Sequence, residues 1–140
     1  MAYKIHAGPV ELPNALVVEG AAGSAFLPGN VVVKSGATLD EGAAVSAGQL
    51  LIAKENGPGV GGHVDDAFVV GAPVQAYVAR QGLFFRVRLE TGVACVEGET
   101  LLQRGADGQL TLLSDQTAVA VAKETITTTS GDQLVLVEVL

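Results

Sequence analysis

Residues 83–89, Leu-Phe-Phe-Arg-Val-Arg-Leu, put Leu83, Phe85, Val87 and Leu89 on one face of an extended chain and Phe84, Arg86 and Arg88 on the other. This alternation predicts a strand with one core face and one partly wet face. Residues 134–140 carry Val135, Val137 and Val139 on one side and Leu134, Leu136, Glu138 and Leu140 on the other. Apolar on nearly every position, they predict a strand that is central or covered on both faces. Shorter β-branched or alternating runs predict strands near 15–19, 30–34, 49–54, 74–80, 100–103, 110–113 and 118–122. Residues 64–70 and those after Ser114-Asp115 are the places open to a helical turn, and both are rich enough in Val to be strands instead.

Turns separate these runs, and 18 glycines supply many of them, which largely excludes long helices. Pro28-Gly29-Asn30, Ala47-Gly48-Gln49 and Glu97-Gly98-Glu99 each lead into an apolar strand, and Asp107-Gly108 is a hairpin signal between Leu101-Leu102 and Leu110. The three glycines at 29, 48 and 98 stand 19 and then 50 residues apart, which is no fixed period and predicts no repeat. The expected fold is all-β, a compact β-barrel or β-sandwich over residues 28–140. Residues 1–27, interrupted by Gly8, Pro9, Pro13, Gly20 and Gly23, read as an extended N-terminal arm that docks on a neighbouring subunit or shell. Phe85, Val87, Leu89, Val135, Val137 and Val139 are the expected core.

With 140 residues the chain is the size of one domain, and 49% apolar against 16% charged residues excludes global disorder. The longest apolar runs are a few residues where a membrane helix needs about 20, so no membrane partner is expected. The first eight residues lack the charged and apolar regions of a secretory signal, which predicts synthesis in the cytoplasm. A net charge of −7 repels phosphate backbones, so nucleic acid is not an expected direct partner. Cys95, the single cysteine, lies among Val93, Ala94 and Val96 and reads as a buried thiol.

Candidate chemistry is sparse. The glycine-rich residues 57–62 have the composition of a phosphate cradle, but His63-Val64-Asp65-Asp66 follows where a P-loop needs Lys and Ser or Thr. A surface loop is the better reading. His63, Asp65 and Asp66 are metal-competent types, yet adjacent carboxylates diverge on an extended chain and the other histidine, His6, is remote in sequence. Glu97 and Glu99 flank Gly98 in a polar turn, and a chain without Trp offers few sugar platforms. No Gly-x-Ser-x-Gly elbow occurs. Arg80, Arg86 and Arg88 form the one basic concentration, a solvated strand face or a contact for an acidic partner. No catalytic, cofactor-binding or metal-binding residue is assigned, no cofactor is expected, and the protein is read as not an enzyme.

The order of the turn-and-strand units resembles the capsid decoration, or cement, proteins of tailed bacteriophages. The resemblance rests on Pro28-Gly29 before a Val-rich strand, Ala47-Gly48-Gln49-Leu50-Leu51, and Gly82-Leu83-Phe84-Phe85-Arg86-Val87 leading to Val96-Glu97-Gly98-Glu99-Thr100-Leu101. Further matching elements are Asp107-Gly108-Gln109-Leu110, Ala118-Val119-Ala120-Val121-Ala122 and Gly131-Asp132-Gln133-Leu134-Val135. It spans residues 28–140 in generic elements. It implies a β-rich, non-enzymatic virion protein that binds major capsid protein on the outer surface of an assembled head and stabilises it, commonly as a homotrimer. The alternative is a biotinyl- or lipoyl-like carrier or other small β-barrel binding module. Lys34, Lys54 and Lys123 lack the Met-Lys-Met or Asp-Lys setting of such carriers.

Overall fold

The computed structural model describes residues 5–8, 16–43, 48–55 and 64–140. These form thirteen strands and no helix: β1 (His6–Gly8), β2 (Val17–Ala22), β3 (Val31–Ser35), β4 (Thr38–Glu41), β5 (Leu51–Ala53), β6 (Pro73–Val78), β7 (Phe84–Leu89), β8 (Ala94–Cys95), β9 (Leu101–Arg104), β10 (Leu110–Leu112), β11 (Ala120–Ala122), β12 (Ile126–Thr127) and β13 (Gln133–Val139). The all-β expectation holds, and no described helix is long and apolar enough to cross a membrane. Strands β2, β4, β3, β5 and β6 close into one barrel, and β7, β10, β9, β11 and β13 close into a second through the β7–β13 pairing. The alternation legible at 83–89 and 134–140 therefore aligns the two strands that seal the second barrel, with Val135 opposite Val87 and Val137 opposite Phe85. All six expected core residues are buried.

The two barrels are built alike. In each, the first and third barrel strands in chain order lie parallel, β2 beside β4 and β7 beside β10, and every other barrel pairing is antiparallel. Sequence follows the same correspondence. Val18 and Val87, Gly23 and Gly92, Ala25 and Ala94, Gly29 and Gly98, and Ala53-Lys54-Glu55 and Ala122-Lys123-Glu124 each stand 69 residues apart. So do hydrogen bonds: the Gly29 N–H donates to Ala53 O and the Gly98 N–H to Ala122 O, while Asn30 donates to Leu27 O and Glu99 to Val96 O. The Phe26–Phe68 bridge of the first barrel matches the Cys95–Ile126 pairing of β8 and β12. The glycine spacing of 19 and then 50 residues claims no repeat, yet one is present: Gly29 is equivalent to Gly98, while Gly48 precedes a different strand.

A second correction concerns the N-terminal region. Val17–Ala22 is a full barrel strand paired with β6, and Phe26 packs against Phe68 in the first barrel's interior, so residues 17–27 are no arm. Gly20, counted as an interruption, is a barrel position where a Cβ would press on Ala37 O at 3.0 Å and Leu39 Cγ at 3.2 Å. Residues 5–8 also have an address in the same chain, since β1 lies antiparallel on β7.

The barrels are fused along an apolar seam. On β3, Val32 fills the first barrel's interior while Val31 joins the buried cluster of the second; on the next antiparallel strand Leu51 and Ala53 point inward while Leu50 and Ile52 join the seam. Apolar runs such as 31–33 and 50–53 thus arise because both faces of these strands are covered. Strand β13 follows the two-face expectation only in part: Val135, Val137 and Val139 are buried, but Leu134, Leu136 and Glu138 are half-buried and Leu140 is exposed.

Two glycines let the barrels close together. Gly29 has φ +86°, and a Cβ there would meet Leu134 Cδ2 at 2.6 Å and Arg86 O at 3.2 Å. Gly108 has φ +70°, and its Cβ would meet Val31 O at 2.8 Å. Gly36 shares the left-handed conformation at φ +61° with nothing within 4 Å. Gly36→Ala is therefore expected to cost about 1 kcal/mol, the conformational cost alone, whereas Gly29→Ala and Gly108→Ala should each cost more than about 2 kcal/mol because backbone or core must also shift. Val137→Asp, which places an unpaired charge inside the second barrel, should cost more than about 4 kcal/mol. Chemical denaturation of the variants measures all four, and a Gly29→Ala protein as stable as Gly36→Ala would refute the close-packed seam.

Candidate functional site at the barrel seam

Arg88 occupies the outward face of β7, where alternation predicts solvent, yet it is 4% exposed. The Leu27–Asn30 turn and the Val64-Asp65 turn of the first barrel's connections cover it. Its guanidinium donates to Pro28 O at 2.9 Å through Nε, to Asp132 O at 2.6 Å through Nη1, and through Nη2 to Val64 O and, at 3.3 Å, to Asp65 Oδ1. Burial pushes this guanidinium down from its usual range and the nearby Asp65 and Asp132 push it back up. Four acceptors from three segments are thus gathered by one rigid five-donor fork.

The edge of β7 away from β13 is shared in the same way. Arg86 N–H donates to Ile5 O, Arg88 N–H to Gly29 O and Glu90 N–H to Leu110 O. Asn30 links the other side of the seam: its Oδ1 accepts the Leu27 N–H at 2.8 Å and its Nδ2 donates to Gly108 O at 3.2 Å. Arg104, also buried, donates through Nη2 to Gly48 O at 3.0 Å. Beside Gly108, the carboxyl of Glu41 is raised by burial and then by the charges of Asp107 and Asp132.

A cleft of about 580 Å³ opens next to Arg88, lined among others by Arg86, Asp65, Glu124 and Asp132. Its cations and carboxylates face one another, and no nucleophile with a supporting base stands among them. Of the metal candidates, His63 lies outside the described residues, Asp65 is exposed and paired to Arg88, and no group of three or more His, Cys, Asp or Glu is placed to hold a metal among the described residues. Residues 57–62 also lie outside the described residues. Glu97 and Glu99 are exposed on the Gly98 turn. The basic group is dispersed: Arg80 is exposed, Arg86 half-buried and Arg88 buried, so the expectation of one solvated basic face fails at Arg88 because turns of the first barrel lie over it. Cys95 is buried, and burial followed by the Glu124 charge raises its thiol, which keeps it protonated and unreactive.

The three lysines weighed as carrier sites are engaged. Lys54 and Lys123, equivalent in the two barrels, sit 5.9 Å and 5.5 Å over the rings of Tyr77 and Phe84, and Lys34 donates to Glu19 O at 2.7 Å. Each neighbouring glutamate accepts a backbone N–H, Glu55 from Ile5 and Glu124 from Leu136. None of these lysines projects from a hairpin tip. Another device that sequence reasoning missed is Gln103, whose Oε1 accepts the consecutive N–H groups of Ser114, Asp115 and Gln116 at 2.7, 3.1 and 3.2 Å. A polar residue on a strand's outer face carries no sign that a loop will fold over it.

Two substitutions test the seam. Arg88→Met should lower stability by about 3–5 kcal/mol, since it strands buried carbonyls that a thioether cannot satisfy. Arg88→Lys should recover little of that loss, because one ammonium cannot span four divergent acceptors. Glu41 makes a pH prediction: its folded pKa lies above the unfolded value, so ionisation works against the fold, and stability from this group is present below pH about 4.5 and lost as pH rises through the folded pKa. Glu41→Gln should accordingly melt higher than wild type at pH 7 and match it near pH 4, as read by calorimetry.

No family model and no curated protein matches this chain. Among solved structures, the crystal structure of the head fiber gp8.5 N base of bacteriophage phi29 is similar with TM-score 0.54 and 17% identity, over 91% of this chain and 95% of that one. At this identity the likeness is one of fold. The share of the chain that is covered takes in residues of both barrels.

Proposed function

We propose that this protein is a non-enzymatic structural component of a tailed-phage virion, made in the host cytoplasm, that binds major capsid protein on the outer surface of the assembled head and stabilises it as a homotrimer. The observation that carries the reading is the near full-length fold likeness to a phage head fiber base. Two further features support it. The seam devotes its buried polar groups to joining barrels, which is what a rigid attachment block needs. The net charge of −7 suits a surface facing solvent better than one facing packaged DNA.

Binding to the assembled head stabilises that form by linkage, and a trimer engaging three equivalent sites gains effective concentration at each successive contact. Affinity is then governed by assembly state. Heads stripped of minor proteins should carry the protein down on sedimentation and survive heating better with it, whereas isolated capsid subunits should bind it at least about ten-fold more weakly, a difference of about 1.4 kcal/mol. Equal affinity for heads and free subunits, or no gain in head survival, would overturn the proposal.

A further inference from the structure

The equivalence of the barrels exposes a contact that is used once within the chain and is left open at both ends. In the first barrel, the outward residues Val31 of β3 and Ile52 of β5 are register neighbours and are buried against the second barrel. The second barrel places Leu101 and Val121 as register neighbours on the corresponding strands β9 and β11, but there Leu101 is 41% exposed. The adjoining turns match as well. The Gly29 turn sits on the edge of β7, its carbonyl accepting the Arg88 N–H. The Gly98 turn has the same internal hydrogen bonds, yet Val96, Glu97, Gly98 and Glu99 are all exposed. The second barrel thus carries a docking face of the same design as the first, with no barrel on it.

The surface that would receive such a face recurs in its backbone edge, while at the spacing of 69 Glu19 stands where Arg88 stands and Val17 where Arg86 stands. On the second barrel it is the β7 edge, where Arg88 N–H takes Gly29 O and Arg86 N–H takes Ile5 O. On the first barrel the corresponding edge belongs to β2. There β4 pairs only with Ala21 and Ala22, and on the edge of 17–19 away from β6 no strand among the described residues is paired. Leu16 and Val17 at this edge are 51% and 40% exposed. Lys34 Nζ covers the Glu19 carbonyl, whereas it is edge N–H groups that receive the turn in the fused pair. Lys34 brings a cation to the place where Glu97 and Glu99 would arrive, and the Glu19 carboxylate there accepts a hydrogen bond from Gln75 Nε2 at 2.9 Å.

We propose that the Val96–Leu101–Val121 face of one molecule docks on the β2 edge of a second copy of this chain, repeating between molecules the contact that fuses the barrels within one. Two different surfaces meet, so the contact is heterologous, giving a ring where the rotation between copies closes and an open filament where it does not. The inference deepens the oligomer proposed above and takes only the number three from that reading; the interface stands whether or not a capsid is the partner.

The test needs no capsid. Sedimentation velocity of the full chain should give a closed oligomer, and Val17→Glu or Leu101→Glu should each reduce its mass about three-fold while circular dichroism and the thermal transition stay those of a folded barrel pair. Mixing the two variants is decisive. Each retains one intact surface, so the mixture should form one-to-one dimers and no larger ring. A wild type that is monomeric at about 100 μM, an oligomer that survives both substitutions, or a mixture that stays monomeric would overturn the proposal. Should either glutamate variant fail to fold, Val17→Cys mixed with Leu101→Cys replaces it, and formation of a disulfide between molecules in the mixture but in neither variant alone supports the contact; its absence refutes it.

Discussion

The structure depends on the need to satisfy one buried guanidinium. Arg88 stands on a strand whose inner face belongs to the second barrel, and its fork collects carbonyls from the Pro28 turn, the Val64 turn and the Asp132 turn. A buried cation of this kind is tolerated only when its donors are used. Any relative displacement of the barrels that pulled Pro28 or Val64 away would leave that charge short of acceptors. The apolar seam of Val31, Leu50, Ile52 and Val64 supplies the attraction between the barrels, while Arg88 restricts them to one arrangement.

The duplicated plan explains why the same residues do different work in the two halves. Lys54 and Lys123 are equivalent but lie over rings from different places, Tyr77 of β6 and Phe84 of β7, and Glu55 and Glu124 accept from Ile5, which precedes β1, and from Leu136 of β13. Where the plan breaks, the cause is the seam. Val31 and Leu101 occupy equivalent strands, but only Val31 has a second barrel against it. Pro28 at the buried turn corresponds to Glu97 at the exposed one, the replacement expected when a position moves from an interior contact to water.

Much of the second barrel was legible in the sequence. Strict alternation at 83–89 and the Val135, Val137 and Val139 series identify the two strands that close it, since one face must meet a core and the side-chain period is two. Strands β1, β4, β8 and β12 were not among the predicted strands, being two to four residues long and without an alternating signature. The burial of Arg88 was invisible for another reason: alternation reports which side of a strand faces its own barrel, and says nothing about what lies across the other side. The repeat was hidden by indels that fall in turns. The β3–β4 hairpin turns through Gly36-Ala37 whereas the β9–β10 hairpin needs 105–109, so only positions outside the hairpins keep the spacing of 69.

Ring closure also imposes an order on synthesis. Strands β2 to β6 are complete by Val78, so the first barrel can shut as soon as that residue leaves the ribosome, long before β13 exists. β7, by contrast, emerges early and must wait for β13, a partner more than forty residues downstream, before its inner edge is paired. During that interval Val31 and Ile52 of the finished barrel face water, next to the nascent β7 they will eventually cover. The Gly29 carbonyl that accepts the Arg88 N–H thus belongs to a segment translated before β7, while the strand on the other edge of β7 is translated last.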